Sequence, residues 1–288
     1  MPVSIAPISP DQFDTLLQAF NQGYEGYIVP MHLEADQLRG HLEGGSIELS
    51  ASRMAYSEGE AVGVALLGIR GTRAWVGGVG VSPAWRGQGV GRLLMNAVID
   101  SARERHLDVV QLEVIQGNTS AHNLYLSLGF EDIRRLLILE YKPDSSRGLS
   151  VTNPVSAIRP EDIQTVSAAD ALAYTYFHPV SNPWQRERES LRRLEPRMTG
   201  WLVQRHGQTN AYAAGFASEN GIQFMDVGFA SGEDAALRAL VAHIHSQYPE
   251  ANGRMVNLGE DDPAWPVLSD FGYVETMAQY EMLLKLNN

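Results

Sequence analysis

Between Val81 and Leu94 the chain reads VSPAWRGQGVGRLL, with Gly87, Gly89 and Gly91 at alternate positions between Arg86 and Arg92. Glycine takes positive φ without steric cost, so Gly87 and Gly89 suit a sharp strand-to-helix bend, and Gly91 leaves the first helical turn open to close approach. The first four N–H groups of a helix lack intrahelical partners, and the helix dipole adds about half a positive charge there. Backbone donors flanked by two guanidinium groups make an anion site suited to a phosphate or pyrophosphate. The spacing is neither the Gly-x-Gly-x-x-Gly of dinucleotide folds nor a P-loop with its Lys-Ser/Thr. A tight turn that binds nothing is the alternative, but one glycine would serve it; three with two arginines point to phosphate.

The elements that must hold this bend follow from hydrophobic periodicity. Helices are expected over 10–23 and 34–42, strands over 47–56 and 61–69, and the strand RAWVGGVGV over 73–81. In the helix from Gly89 to His106, Val90, Leu93, Leu94, Ala97, Val98 and Ala102 share one face at i, i+3, i+4 spacing. VVQLEVI (109–115) reads as a central strand, SAHNLYLSLG (120–129) as a helix and RRLLILEY (134–141) as an exit strand.

The polar segment KPDSSRGLSVTNPV, Lys142 to Val155, reads as a linker, and the pattern repeats beyond it. SIAPISPDQFDTLLQAF matches SAIRPEDIQTVSAADAL as a short strand, a Pro-acid cap and a helix. MAYSEGEAVGVALLG matches WLVQRHGQTNAYAAGFA as a β-hairpin. LYLSLGFEDIRRLLILEY matches PVLSDFGYVETMAQYEMLL as a helix end, a Gly-aromatic pair and an exit strand. The shared order implies duplication of one α+β unit, the alternative being chance similarity of apolar segments, and domains are expected over 1–145 and 155–288.

Composition narrows the function classes. At 288 residues the chain suits two domains of roughly 140 residues. With no cysteine it has no disulfide, thiolate metal site or cysteine nucleophile. The N-terminus lacks a signal-peptide pattern and no apolar run is long enough to span a membrane, so a cytoplasmic protein is expected. The net charge of −12, without a dense basic run, argues against nucleic acid and suits a cationic small substrate, although acidic surfaces also serve solubility. His32 and His41 show no metal-ligand spacing and read as ordinary.

VSPAWRGQGVGRLLM resembles the acyl-coenzyme A signature of the GNAT superfamily of N-acetyltransferases, and NTSAHNLYLSLGF (118–130) resembles the family's Asn-x-x-Ala-x-x-x-Tyr-x-x-x-Gly-Phe element. The resemblance covers about Ser4 to Tyr141 and reaches the second half only in element order and the LSDFGY ending. It implies two tandem GNAT-like domains, each a mixed, mostly antiparallel twisted sheet flanked by helices. It implies an acetyl-CoA-dependent N-acetyltransferase acting on an amine, a small molecule, with no metal, as a monomer or homodimer. The pyrophosphate would sit on the amides of Arg86, Gly87, Gln88, Gly89, Val90, Gly91 and Arg92. The backbone of Val79, Gly80 and Val81 would bond the pantetheine like an added strand, an amide there facing the thioester carbonyl. Asn118 and Asn123 would lie along the coenzyme, and Tyr125 would be the general acid. A preorganised N–H stabilises the charge that forms on the thioester oxygen, and a phenol can protonate the departing thiolate; the alternative for Tyr125 is a packed aromatic.

Two departures matter. Many GNAT enzymes carry a glutamate on the strand before Val-x-Pro to deprotonate the amine; here that strand is AWVGGVGV, without an acid. An amine of pKa ~10 must still lose a proton. Glu113 and Glu25 are the candidates, with Tyr24 and Tyr27 shaping the acceptor pocket or simply packing. In the second half Glu233 and Asp234 stand where phosphate would bind, the acidic run Glu260-Asp261-Asp262 stands opposite Asn118, and Leu268 stands opposite Tyr125. That copy is expected to have lost the coenzyme site, leaving it to cover the first domain, close its acceptor pocket or only pack. A non-catalytic acyl-CoA sensor is the rival function.

Overall fold

In the computed structural model, which describes residues 2–143 and 158–286, the first half opens with β1 (Ser4–Pro7) and a short turn of 3₁₀ helix. The Ser9 N–H donates to Gln12 Oε1 at 2.9 Å, and α1 (Phe13–Gly23) follows. Next come α2 (Ala35–Gly44), β2 (Arg53–Ser57), β3 (Glu60–Arg70), β4 (Arg73–Val81), α3 (Val90–Glu104), β5 (Val109–Ile115), α4 (Thr119–Ser127) and β6 (Glu131–Tyr141). The strand expected over 47–56 is shorter: Ser46 lies at φ 53°, Ile47 makes an isolated bridge to Gly68, and regular pairing starts at Arg53. The β2–β3 turn puts Glu58 and Gly59 at φ 52° and 87°, the paired positive values of a type I′ turn.

The second half carries β7 (Ile163–Ser167), α5 (Ala168–Ala171), α6 (Arg188–Leu191), β8 (Thr199–Arg205), β9 (Gln208–Ser218), β10 (Gly221–Phe229), α7 (Asp234–Gln247), β11 (Gly253–Gly259), α8 (Ala264–Phe271) and β12 (Val274–Lys285). Its hairpin repeats the same turn, with His206 and Gly207 at φ 52° and 75°. The opening is a correction to the sequence reading: β7 follows the Pro160 cap, and the helix that comes next, α5, has only four residues. Ser167 Oγ, accepting the Asp170 N–H at 3.1 Å, is the counterpart of the Ser9 start. The linker expected over 142–155 lies almost wholly outside the described residues.

The chain forms two compact units, Met1–Ile133 with Tyr280–Asn288, and Arg134–Gln279. These differ from the expected halves, 1–145 and 155–288, because the exit strands are exchanged. β6 pairs antiparallel with β11, burying Leu137 and Leu139 in the core of the second unit. The far end of β12 brings Met282, Leu284 and Leu286 into the core of the first. The first unit is ordered β1-β2-β3-β4-β5-β12 and the second β7-β8-β9-β10-β11-β6. Neighbours β1 to β4 pair antiparallel, as do β7 to β10 and β6–β11, whereas β4–β5 and β10–β11 are parallel. In the first unit Leu16, Phe20, Leu38 and Leu66 pack under α1 and α2, while Leu67, Leu94, Val98 and Leu112 pack under α3.

Candidate functional site

The β4–β5 pairing is brief. It runs from Arg73↔Val109 to Trp75↔Gln111. A bulge at Gly77 shifts the register of β4, from Leu67↔Val76 to Leu66↔Gly78. A Cβ on Gly77 would lie 2.7 Å from the Trp75 ring and 2.8 Å from Ile47 Cδ1. Past the bulge, Gly78 and Gly80 face α1: a Cβ would meet Tyr24 Oη at 3.0 Å from Gly78, and Gly23 Cα at 2.9 Å from Gly80. Val79 and Val81 pack toward the α3 core instead. Beyond Trp75 the edge of β4 therefore offers backbone, with little side chain, to the space before β5.

That edge leads into the glycine bend. Gly87 and Gly89 take φ 74° and 85°, as expected, and a Cβ on either would meet nothing within 4 Å. A Cβ on Gly91 would come no nearer than 3.5 Å to Leu124, an ordinary contact, so packing within the protein does not demand glycine there. The Leu93 N–H donates to Gly89 O at 3.1 Å, which leaves Val90, Gly91 and Arg92 as the first-turn amides without an intrahelical acceptor. An open cradle of N–H groups at a helix start fits a pyrophosphate.

The flanking side chains are busier than the sequence suggests. Arg86 folds back, donating from Nε to Val81 O at 2.9 Å and from Nη2 to Gly23 O at 3.1 Å and Glu25 O at 2.6 Å. It braces the end of β4 against the end of α1. Arg92 Nη2 donates to Ser127 Oγ at 2.7 Å and Gln88 Nε2 to Ala84 O at 2.8 Å. Asn118 caps α4, its Oδ1 accepting the Ala121 N–H at 3.2 Å; Asn123 is exposed.

Three tyrosines singled out by sequence come together. Tyr24 lies edge-on to Tyr27 at 5.2 Å and against Phe20 at 4.6 Å. Burial raises the Tyr125 phenol well above its ordinary pKa, with Tyr27 adding to it. Burial likewise raises Tyr24, helped by Tyr125 and Tyr27 and opposed by a hydrogen bond from the Val79 N–H. These phenols stay protonated at neutral pH and can donate. The candidate carboxylates differ in setting: Glu113 Oε2 accepts the Trp75 indole N–H at 2.8 Å, and Glu25 lies exposed on the α1–α2 connection. His41, read as ordinary, instead places Nε2 2.8 Å from the bulge carbonyl of Gly77. A polar residue within an amphipathic helix carries no sequence signal of such a contact.

The second unit repeats the brief parallel pair, Ile222↔Gly253 to Phe224↔Met255, and the bulge, here at Met225. Its opening is filled. Arg186 donates from Nε to Met225 O at 3.3 Å and from Nη1 to Asn257 O at 3.1 Å, and pairs with Asp226. His178 bridges Asp226 Oδ1 at 3.0 Å and Asp262 Oδ2 at 2.9 Å, and the Tyr212 hydroxyl donates to Asp226 Oδ2 at 2.7 Å. Side-chain exposure of 4% for His178, 3% for Arg186 and 0% for Asp226 leaves no room for a ligand. Burial alone would lower His178, but the Asp226 carboxylate raises it to about 9. Burial alone would raise Asp226, but His178 and Arg186 hold it at about 2. Glu233 stands at the N-cap of α7, Asp234 begins that helix, and Leu268 is fully buried.

Residues 14–130 match the family described as Acetyltransferase (GNAT) family, and the chain carries a GNAT acetyltransferase domain. Enzymes of this family use acetyl-CoA and act on amine acceptors, some of them proteins. Among curated relatives, the chain is 33% identical over 64 residues to N-alpha-acetyltransferase 30 of Saccharomyces cerevisiae, spanning 22% of this chain and 36% of that protein. It is 39% identical over 67 residues to the [Ribosomal protein bS18]-alanine N-acetyltransferase of Haemophilus ducreyi, 23% of this chain and 46% of that one. It is 52% identical over 52 residues to the mycothiol acetyltransferase of Thermobispora bispora, 18% of each chain. These matches thus span less than half of each relative's length. The whole fold is that of tandem GNAT proteins. A tandem GNAT protein from the clavulanic acid biosynthesis pathway superposes with a TM-score of 0.69 at 14% identity, covering 100% of this chain and 99% of that one. A GCN5-related N-acetyltransferase from Sphaerobacter thermophilus gives 0.67 at 16% identity, covering 99% and 96%. Among the described residues no group of three or more His, Asp or Glu could hold a metal ion, and no helix is long and apolar enough to cross a membrane.

Proposed function

We propose that the first unit transfers an acetyl group from acetyl-CoA to an amine, and that the second copy binds no coenzyme. One observation carries this: the backbone edge of β4 past the Gly77 bulge runs directly into a cradle of helix-start amides, matching a pantetheine arm that ends in pyrophosphate. Acetyl-CoA supplies an activated acetyl thioester whose carbonyl carbon forms the C–N bond as the C–S bond breaks. The amides of Arg86 to Arg92 hold the phosphates, and Asn118 and Asn123 lie along the arm. The backbone of Val79, Gly80 and Val81 orients the thioester, an N–H there offsetting the charge that forms on its oxygen. Tyr125, buried and protonated, gives its proton to the departing sulfur. Tyr24 and Tyr27 enclose the acceptor. We assign the amine's proton to Glu25, because Glu113 is engaged by Trp75. The acceptor is a small-molecule amine; a protein amine, as in the ribosomal-protein alanine that one relative's name gives as its acceptor, is the other acceptor class to be assayed.

That engagement of Glu113 also favours a second reading, a coenzyme-binding sensor without turnover. Thiol release from acetyl-CoA over a panel of small amines and N-terminal peptides separates the two. Tight binding with no amine-dependent release leaves the sensor; release with any panel member establishes the enzyme.

A further inference from the structure

The pair Gly77-Gly78 is the conformationally softest stretch of β4, since glycine has the most backbone freedom to lose. It also sits where the strand gains an extra residue, and a one-residue slip would exchange the edges toward which the Val79 and Val81 amides point. Something must fix the bulge. Packing does so on one side, where Trp75 and Ile47 crowd Gly77. On the polar side stands His41 of α2, with Nε2 2.8 Å from Gly77 O and its ring 6.0 Å from both Phe20 and Trp75.

We propose that His41 is a positioning residue for the donor site, its Nε2–H holding the Gly77 carbonyl so that β4 presents Val79 and Val81 to the acyl-coenzyme in one register. A carbonyl only accepts, so the proton lies on Nε2. Burial lowers the pKa of the ring and keeps it neutral at pH 7, although the bond to Gly77 opposes that. Peptide planarity transmits the constraint, because a fixed Gly77 oxygen fixes the Gly78 N–H on the opposite side of the same plane. The role is electrostatically passive: His41 moves no proton and touches no substrate.

The inference rests on the coenzyme site proposed above, and its test separates the two. Nitrogen-15 NMR of the full-length protein should show His41 as the neutral Nε2–H tautomer near pH 7; a charged ring or an Nδ1–H tautomer overturns the proposal without any variant. Hydrogen exchange and calorimetry with acetyl-CoA and with free CoA then compare His41→Leu and His41→Gln. Leucine should speed exchange of the Val79 and Val81 amides and weaken acetyl-CoA by about tenfold, the scale of one lost hydrogen bond. It should weaken CoA less, since the acetyl end lies nearest the bulge. Glutamine, whose amide can replace the Nε2–H, should restore both readouts to within about threefold of the native protein. Unchanged exchange in His41→Leu overturns the proposal, as does a glutamine variant as impaired as the leucine one. If the native protein binds neither ligand, the coenzyme site fails, while the tautomer and exchange results still decide the role of His41.

Discussion

Replacing Asp226 with asparagine should melt the second unit selectively while leaving the coenzyme site of the first intact. Asp226 and Asp262 face Arg186 and His178 in a sealed cluster whose formal charges cancel. Asparagine keeps the volume and can still accept from Tyr212, but it leaves two buried cations with one anion. The size of the effect can be approached from either partner. A carboxyl moved from 3.8 to about 2, or an imidazole moved from 6.5 to about 9, corresponds to about 2–3 kcal/mol of linked stability. These are two views of one interaction and are not added. Breaking a buried pair typically costs about 3–5 kcal/mol, so about 3 kcal/mol is expected. In a domain of this size that lowers the midpoint by about 6–12 °C. The pH profile is the sharper assay. His178, raised on folding, contributes fully below 6.5 and loses its contribution as pH rises through about 9; Asp226, depressed on folding, contributes above 3.8 and loses it as pH falls through about 2. Urea titrations of the native protein should therefore lose stability between pH 6.5 and 9, a limb that Asp226→Asn should flatten. Parallel pH curves, or a loss under about 1 kcal/mol, would refute the charge-cluster account.

Calorimetry should find one acetyl-CoA per chain, unchanged by Glu233→Ala; two would show that the filled opening of the second unit is no barrier. Gly89→Glu should abolish binding, because it forces a side chain into φ 85° and sets a carboxylate at the phosphate cradle. Tyr125→Phe should lower turnover by about 10²-fold with little change in coenzyme affinity, read as thiol release; unchanged chemistry would make Tyr125 a packing residue. A chain ending at residue 146 lacks the buried Met282, Leu284 and Leu286, each contributing about 1.5–3 kcal/mol, and should give neither cooperative unfolding by circular dichroism nor coenzyme binding.

The glycine bend proposed as the donor site was legible because its geometry is backbone geometry. Gly87 and Gly89 announce positive φ, and the apolar spacing from Val90 announces the helix whose first turn they expose. The three tyrosines were named, but not their convergence, since Tyr24 and Tyr27 follow the end of α1 while Tyr125 lies far along the chain on α4. Contacts to carbonyls were invisible. Nothing local says that Arg86 will brace Gly23, or that His41 will reach Gly77 from another element. The same holds in the second copy, where Glu233 and Asp234 were legible at the start of α7 but Arg186, far away in sequence, gave no sign that it would reach Met225 and Asn257. Nor could the repeat reveal that the exit strands change places, since exchanged and unexchanged strands have the same pattern of apolar residues.

The exchange of β6 and β12 has a consequence for how the molecule is made. Synthesis runs from the N-terminus, so residues 280–286, which finish the core of the first unit, emerge only after every residue of the second. The first unit cannot complete itself until those residues have been made, and its α3–β5 core must wait with one edge open through the translation of Arg134–Gln279. Long-range strand pairing of this kind is slow, and unpaired edges invite misassembly. The order of events is thereby constrained: the second unit, whose strand β6 is already made when the rest of it appears, can close first, and the first unit becomes whole only after it.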